Sequence, residues 1–234
     1  MNELELRNRM ANVLVPYLGC REGSAQHLDI VNTYNSIKPL PQGYKLKATD
    51  SWCAASVSAA AAKCGFLDII PAECSCPRQI ALWQKMGRWV ENDAYVPKVG
   101  DIIYYDWNDN GNGDCTGTAD HVGIVCVVNG NNLRIIEGNY SDTVKYRDLK
   151  VNGRYIRGYG IPNYASKVTK EVDPMAKFKD TAGNAFEKQI DRVADIGWLK
   201  GYTDGNFKPD QAVTRGQLAA ILDRLANDLG LYNK

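Results

Sequence analysis

Three positions carry side chains whose types and spacing could perform nucleophilic chemistry on an acyl carbon. Cys53 stands where a loop bearing Pro39, Pro41 and Gly43 passes into Trp52-Cys53-Ala54-Ala55, and the run to Cys64 is Ala-rich without Gly or Pro. That run predicts a well-buried helix, ended by Gly65, with Cys53 at its start. A thiol at a helix N-terminus meets the positive end of the macrodipole and unpaired N–H groups. Both lower its pKa and raise the thiolate fraction, and the same N–H groups can hold an oxyanion. His121 opens the apolar run His-Val-Gly-Ile-Val-Cys-Val-Val, and Glu137 and Asn139 close the next, Leu-Arg-Ile-Ile-Glu-Gly-Asn. A thiolate, an imidazole base and an acidic or amide group that orients it form a nucleophilic triad. Each residue also has a plainer reading. A Cys in an Ala-rich helix is a small buried hydrophobe, and a single His before a strand is incidental.

The register of the hairpin joining the two apolar runs decides whether His121 can meet an orienting group. Glu137 and Asn139 are two apart and share a face if the strand persists to 139. A two-residue turn at Asn129-Gly130 sets residue 121 opposite 138, on the wrong face. A three-residue turn at 129–131 sets it opposite 139, and one at 128–130 sets it opposite 137. An odd-length turn is therefore expected.

The surrounding elements follow from periodicity. Leu4, Leu6, Met10, Val13, Leu14, Tyr17 and Leu18 lie close to helical spacing before Gly19. Ser24 can cap a second helix to about Asn35. On it, His27 reads as a solvated residue of the polar face. Arg78–Met86 is a further short helix. After Pro97, the runs 101–107, 122–128, 133–137, 143–148 and 154–161 are β-branched or aromatic and separated by Asn, Gly and Asp. Helices followed by strands predict an α+β domain with an antiparallel sheet. Residues 164–177 are polar and aperiodic and read as a linker. A second unit follows over 178–234, with helices around Ile190 and after Thr214 and a turn-rich stretch between them.

Two resemblances attach to these motifs. Pro97-Lys-Val-Gly-Asp-Ile-Ile-Tyr-Tyr-Asp106, Asp120-His-Val-Gly-Ile-Val125 and Ile136-Glu-Gly-Asn139, following Trp52-Cys-Ala-Ala55, resemble the CHAP family of cysteine, histidine-dependent amidohydrolases/peptidases. The match runs over roughly residues 40–162. It implies a papain-like fold with helices packed on an antiparallel sheet, and cleavage of an amide bond in bacterial peptidoglycan. By that resemblance Cys53 is the nucleophile, His121 the base, Glu137 its orienter and Asn139 an auxiliary polar residue. Separately, Trp52, Trp83, Trp89 and Trp107 are candidates to line a sugar or peptide groove, Trp52 as the substrate-binding candidate, with core packing as the plainer reading of each. The scissile bond is then a stem-peptide bond or the N-acetylmuramoyl-L-alanine amide. A non-catalytic wall-binding protein and a Cys acyltransferase or transpeptidase are the competing classes.

Phe178-Lys-Asp180, Val193-Ala-Asp-Ile-Gly197, Gly201-Tyr-Thr-Asp-Gly-Asn-Phe-Lys-Pro209 and Thr214-Arg215 resemble one S-layer homology repeat, a small all-α unit that binds secondary cell-wall polymers. Arg215 is the binding candidate. The His-Trp usual near the first helix start is Ala185-Phe186, and the usual Thr-Arg-Ala-Glu is Thr214-Arg-Gly-Gln217. Such repeats commonly work in threes, so either a homo-oligomer of chains or weak local binding by one repeat is expected. The domain reading is 1–163 catalytic with a helical N-terminal extension, 164–177 linker and 178–234 wall-binding.

Composition narrows the setting. The chain has 234 residues, with 28 Lys plus Arg against 27 Asp plus Glu and a net charge of +1. That excludes a general nucleic-acid footprint. No apolar run approaches the ~20 residues that span a bilayer. Seven Cys, an odd number absent from the last hundred residues, read as free thiols made in a reducing compartment. Met-Asn-Glu-Leu-Glu-Leu-Arg at the start lacks the pattern of a secretory leader. The expectation is synthesis in the cytoplasm and action at a Gram-positive wall, as in a phage or prophage endolysin. No organic cofactor is needed. Asp106, Asn108, Asn110 and Asp114 alternate like the first half of a calcium loop, but Gly117 stands where the pattern needs Glu, and a polar turn-rich loop is the competing reading.

Overall fold

The computed structural model describes residues 1–168 and 177–228, and the chain divides into two compact units, Met1–Thr169 and Lys170–Lys234. Among the described residues, no helix is long and apolar enough to cross a membrane.

The first unit is α+β. Helices α1 (Glu3–Asn12), α2 (Ala25–Asn35), α3 (Cys53–Cys64) and α4 (Cys76–Lys85) precede β1 (Trp89–Val90), β2 (Ile102–Tyr105), β3 (His121–Asn129), β4 (Asn132–Glu137), β5 (Lys145–Lys150) and β6 (Ile156–Gly160). The strands form one six-stranded sheet in the order β1-β6-β2-β3-β4-β5, antiparallel at every pairing. The two-residue strand β1 lies outside the runs that alternation picks out.

Local chemistry sets the helix ends. Asn2 and Glu5 cap α1 reciprocally, and Ser24 accepts the His27 N–H at the start of α2. Helix α3 ends at Gly65 with φ +71°, where the N–H of Phe66 reaches back to the Ala61 carbonyl at 2.8 Å. Ten of its twelve residues are buried. Their small side chains let the helix lie deep in a core that includes Ile102, Tyr104, Val122, Ile124 and Ile136 from the sheet. A smaller apolar cluster that includes Ile103, Tyr105, Val125, Ile135 and Tyr159 holds the opposite face.

Two expectations are corrected here. His27 is wholly buried: its Nδ1 accepts the Gly23 N–H at 2.9 Å and its ring lies 4.8 Å from that of Trp52. The stretch expected as a linker from 164 begins inside this unit. Tyr164 opens a 3₁₀ turn to Lys167 and is wholly buried, its hydroxyl donating to the Gly100 carbonyl at 2.7 Å. A single anchored aromatic outweighs the polar composition around it. Residues 169–176 of that stretch lie outside the described residues.

In the second unit, α5 (Glu187–Asp195) and α6 (Arg215–Asp228) are the helices, and no strand occurs among the described residues. The Asp180 carboxylate accepts the N–H groups of Phe207 and Lys208, both at 2.8 Å, and ties down the intervening loop. Thr214 and Gln217 cap α6 reciprocally, at 2.9 and 3.2 Å. Gln217 thus performs the box role that a Glu performs elsewhere.

Candidate active site

Cys53 is the first residue of α3, and its side chain is shielded at 6% exposure. The helix is held against the end of β4 by Gly138. A Cβ there would lie 2.2 Å from Ser56 Oγ and 3.0 Å from the Trp52 ring. Only a glycine admits that approach of strand to helix.

The hairpin reaches the required register by a route other than an odd-length turn. Asn129 pairs with Asn132 across a two-residue turn, with Gly130 supplying a φ of +56°. The register then shifts between Val125 and Val127, so that Ile124 opposes Ile136. Cys126 is the extra residue, a β-bulge that moves the remainder of β3 by one position. The bulge therefore does what an odd-length turn was expected to do. Gly123 falls beside Glu137, where a Cβ would meet Glu137 Cγ at 2.7 Å and Ile135 Cγ2 at 2.5 Å. The space it leaves lets the carboxylate reach His121: Nε2 and Oε2 are 3.0 Å apart.

Glu137 is wholly buried and holds a second cation. Arg147, on β5, donates from Nε to Oε1 at 2.7 Å and from Nη2 to Oε2 at 3.0 Å. The Arg147 guanidinium lies over the rings of Tyr140, Trp107 and Tyr105 at 4.1, 5.0 and 5.4 Å. Sequence reasoning missed Arg147. Its only signal is its place two residues from Lys145, the partner of Glu137 across β4 and β5.

The electrostatics favour an ion pair. Burial works against charge on His121, but its hydrogen bonds to Cys53 and Glu137 outweigh burial and push it up to about 9. The S–H of Cys76, with Sγ 3.8 Å from Cys53 Sγ, holds the Cys53 thiol well below the usual thiol range. Burial opposes that shift, while His121 and the Ala54 N–H support it. Burial raises the Glu137 carboxyl, but His121 and Arg147 prevail and keep it below its ordinary value. With Nε2 turned to Glu137, Nδ1 is left for the thiol. A cleft of about 500 Å³ opens on His121, with Trp107, Asn139, Tyr140, Arg147 and Tyr155 among its walls.

Two stretches of the chain match known families. A family model for the CHAP domain matches residues 43–139, and one for the S-layer homology domain matches 177–219. The chain carries a CHAP domain followed by an S-layer homology domain. A CHAP domain implies a function of peptidoglycan-hydrolase type, and an S-layer homology domain implies binding to the cell wall. Two proteins of Acetivibrio thermocellus are similar over short stretches. Cell surface glycoprotein 1 is 33% identical over 48 residues, 20% of this chain and 2% of that protein. The Cellulosome-anchoring protein is 29% identical over 58 residues, 25% of this chain and 13% of that protein. The chain thus spans a small fraction of these relatives. No solved structure matches it.

Around Cys53, His121 and Glu137, the other expected site residues fall differently. Asn139 lies beyond the end of β4, at φ +61°, and lines the cleft rather than continuing the strand face. Trp52, expected to line a groove, is instead wholly buried, packed on His27, with Nε1 donating to Glu22 at 3.2 Å. Trp83 is likewise buried, donating to the Tyr104 hydroxyl. Trp107, 39% exposed, is the tryptophan at the cleft. The calcium-like set does not converge. Asp106 accepts the Asn108 N–H, Asn110 the Asn112 N–H and Asp114 the Asp93 N–H. Among the described residues no three His, Cys, Asp or Glu side chains are grouped to hold a metal. The loop uses these oxygens to hold its own backbone. In the S-layer homology domain Arg215 is exposed at the start of α6. A cleft of about 280 Å³ there has Tyr202, Lys208, Gln217 and Arg224 among its walls.

Proposed function

We propose that this chain hydrolyses an amide bond of peptidoglycan through a Cys53 acyl-enzyme, and that its C-terminal unit, an all-α repeat, holds it on the wall by binding a secondary cell-wall polymer through Arg215 and its neighbours. The supporting observation is the convergence of Cys53, His121 and Glu137 at the N-terminus of α3, with the imidazole between thiol and carboxylate. The Cys53 thiolate attacks the carbonyl carbon, and the developing oxyanion meets the first-turn N–H groups, that of Cys53 among them. His121 gives its proton to the leaving amine, then takes one from the water that resolves the thioester. Glu137 holds the imidazole in orientation and stabilises its cationic form. Asn139 and Trp107, on the cleft wall, contact the substrate. The bond is a stem-peptide bond or the muramoyl-L-alanine amide. The scaffold is of papain type, over 1–168, and the setting is lysis of a Gram-positive wall by a phage or prophage enzyme. The names of the two similar proteins, a surface glycoprotein and an anchoring protein, support the attachment role of the second unit. Attachment raises the effective concentration of the first unit on its substrate.

The test is mass spectrometry of purified Gram-positive peptidoglycan incubated with the wild-type chain and with Cys53→Ala. New muropeptides are expected from the wild type alone, and their new amino termini identify the bond. Identical profiles from both proteins, with wall binding retained, would reduce the chain to a binding module. Adding an amine acceptor separates hydrolysis from transfer, since a transferase would yield the acceptor adduct.

A further inference from the structure

Cys76 neither attacks the substrate nor moves a proton to it in the chemistry proposed above, yet its sulfur lies 3.8 Å from that of Cys53. Each of the two residues opens a helix, Cys53 α3 and Cys76 α4. Twenty-three positions separate them, so the packing of the two helices creates the approach. Both side chains are buried, at 6% and 5% exposure. A disulfide needs its sulfurs at about 2.05 Å, so closure asks each sulfur to move by roughly 1 Å.

We infer that Cys53 and Cys76 are a redox pair, in which Cys76 resolves the oxidised nucleophile into a reversible disulfide when a peroxide reaches the site. The inference rests on the reading of Cys53 as a reactive thiolate, and not on which bond the chain cleaves. The Cys53 thiolate attacks one oxygen of hydrogen peroxide: an S–O bond forms, the O–O bond breaks, and hydroxide leaves to be protonated to water. Cys53 is oxidised by two electrons to the sulfenic acid, and the peroxide is reduced. The Cys76 sulfur then attacks Cys53 Sγ: the S–S bond forms, the S–O bond breaks, and the hydroxyl leaves as water with the Cys76 proton. Two thiols and one peroxide become one disulfide and two waters. A dithiol reverses it by exchange, taking up the two electrons' worth of oxidation.

Proton distribution between the two sulfurs fits these roles. The Cys76 S–H donates toward Cys53, which holds Cys53 low and Cys76 well above the ordinary thiol range. Cys53 is thereby the sulfur that attacks peroxide, and Cys76 keeps its proton until the sulfenic acid has formed. Three of the other thiols lie at the opposite extreme from Cys53. Burial pushes Cys64 and Cys115 up to about 11 and Cys126 up to about 12.

The experiment uses the full chain, exposed to hydrogen peroxide at modest excess and alkylated without reduction. Expected are a mass loss of about 2 Da before alkylation, one peptide pair linking Cys53 to Cys76 in the digest, and recovery of Cys53 alkylation after dithiothreitol. Cys76→Ser should instead carry Cys53 to the sulfinic acid, a gain of about 32 Da that dithiothreitol does not reverse. Cys74→Ser should keep the Cys53–Cys76 link. Sulfinic acid at Cys53 in the wild type at the same rate as in Cys76→Ser, or a link from Cys53 to Cys74 or to another molecule, would overturn the assignment. Should Cys76→Ser lose its cooperative melt, the wild-type peptide map decides by itself. The readout is a mass, so a chain that cuts no peptidoglycan can still pass or fail this test.

Discussion

Residues 1–168 and 177–228 are both ordered, but by different means. The first region wholly buries Trp52, Trp83, Tyr104, Tyr159 and Tyr164, and Cys53, His121 and Glu137 come together beside that core. In the second, only Thr181 and Ile190 are buried among the described residues, and no residue of α6 is. Phe186, Ile196, Val213, Leu218 and Leu222 are each at least half exposed. What ties the second region together is largely polar: the Thr214–Gln217 cap, the Asp180 tether, Trp198 Nε1 donating to Asp228 at 2.6 Å and Arg224 donating to the Trp198 carbonyl at 2.8 Å. A unit of this size has too little interior to do more. The contrast suits the proposed division, with chemistry in the first region and attachment in the second. Holding a thiolate and an imidazolium together needs rigid partners and exclusion of water, whereas contact with a polymer needs only an accessible surface.

Four experiments would break or sharpen that comparison. The largest effect is expected from His121→Ala, which removes the base and the cationic partner of the thiolate. Turnover should fall by roughly 10⁴- to 10⁶-fold, with wall binding retained; a loss below tenfold would separate His121 from the reaction. Next, deleting 177–234 should lower retention on purified walls by at least about tenfold, as loss of a linked site does, and leave cleavage of soluble muropeptides unchanged. The shortened chain should also melt at the same temperature by calorimetry, since the core of 1–168 is its own. Unaltered retention would refute the anchoring role.

Third, an added side chain should be felt unequally in the two regions. Gly138→Val drives its Cβ into Ser56 and the buried Trp52, and overpacking of that kind costs about 1–3 kcal/mol. At roughly 2–4 °C per kcal/mol for a unit of this size, the melt of the first region should drop by several degrees. Gly201→Val meets the Phe178 ring at 2.1 Å and the Asn206 carbonyl at 2.9 Å. The ring is only half-buried and can turn away, and the region around both has little buried interior, so the second region should change less. Equal losses by scanning calorimetry would mean that the second region is as tightly packed as the first.

The smallest effect is a shift in a pH profile. His121, raised to about 9 by Cys53 and Glu137 against its burial, loses its proton as pH rises through that value, and the thiolate–imidazolium pair is lost with it. The rate of the wild type should therefore fall above about pH 9. Glu137→Gln removes one of the causes that raise His121, so the alkaline limb should move to lower pH while hydrogen-bonding capacity at the position is kept. An unmoved limb would mean that Glu137 does not set the charge of His121.

Much of the site was legible in the residues. The Ala-rich run ending at Gly65 announced α3 and set Cys53 at its start, and Ser24 marked the start of α2. The apolar runs of 121–128 and 133–137 announced β3 and β4. The meeting of His121 with Glu137 was expected, but by an odd-length turn; a bulge at Cys126 supplies it instead. Both devices change the pairing by one residue, and nothing in the run Val-Cys-Val-Val distinguishes a bulged position from a paired one. Trp52 and His27 were read as groove and surface residues because a ring is equally suited to either. They pack on each other in the interior, a contact across 25 positions that periodicity does not see.

By itself, then, the sequence determined what depends on near neighbours along the chain. Caps, helix stops, strand alternation and the placing of a thiol at a helix N-terminus are settled within a few residues by hydrogen bonding and side-chain period. Only the tertiary structure decided which groups meet. It set Arg147 on Glu137 from the next strand, brought the start of α4 to the start of α3 so that Cys76 touches Cys53, and turned Trp107 rather than Trp52 to the cleft. These contacts depend on how whole elements pack, through close approaches at Gly123 and Gly138 that exclude any side chain. Packing of that kind is a property of surfaces brought together from distant parts of the chain.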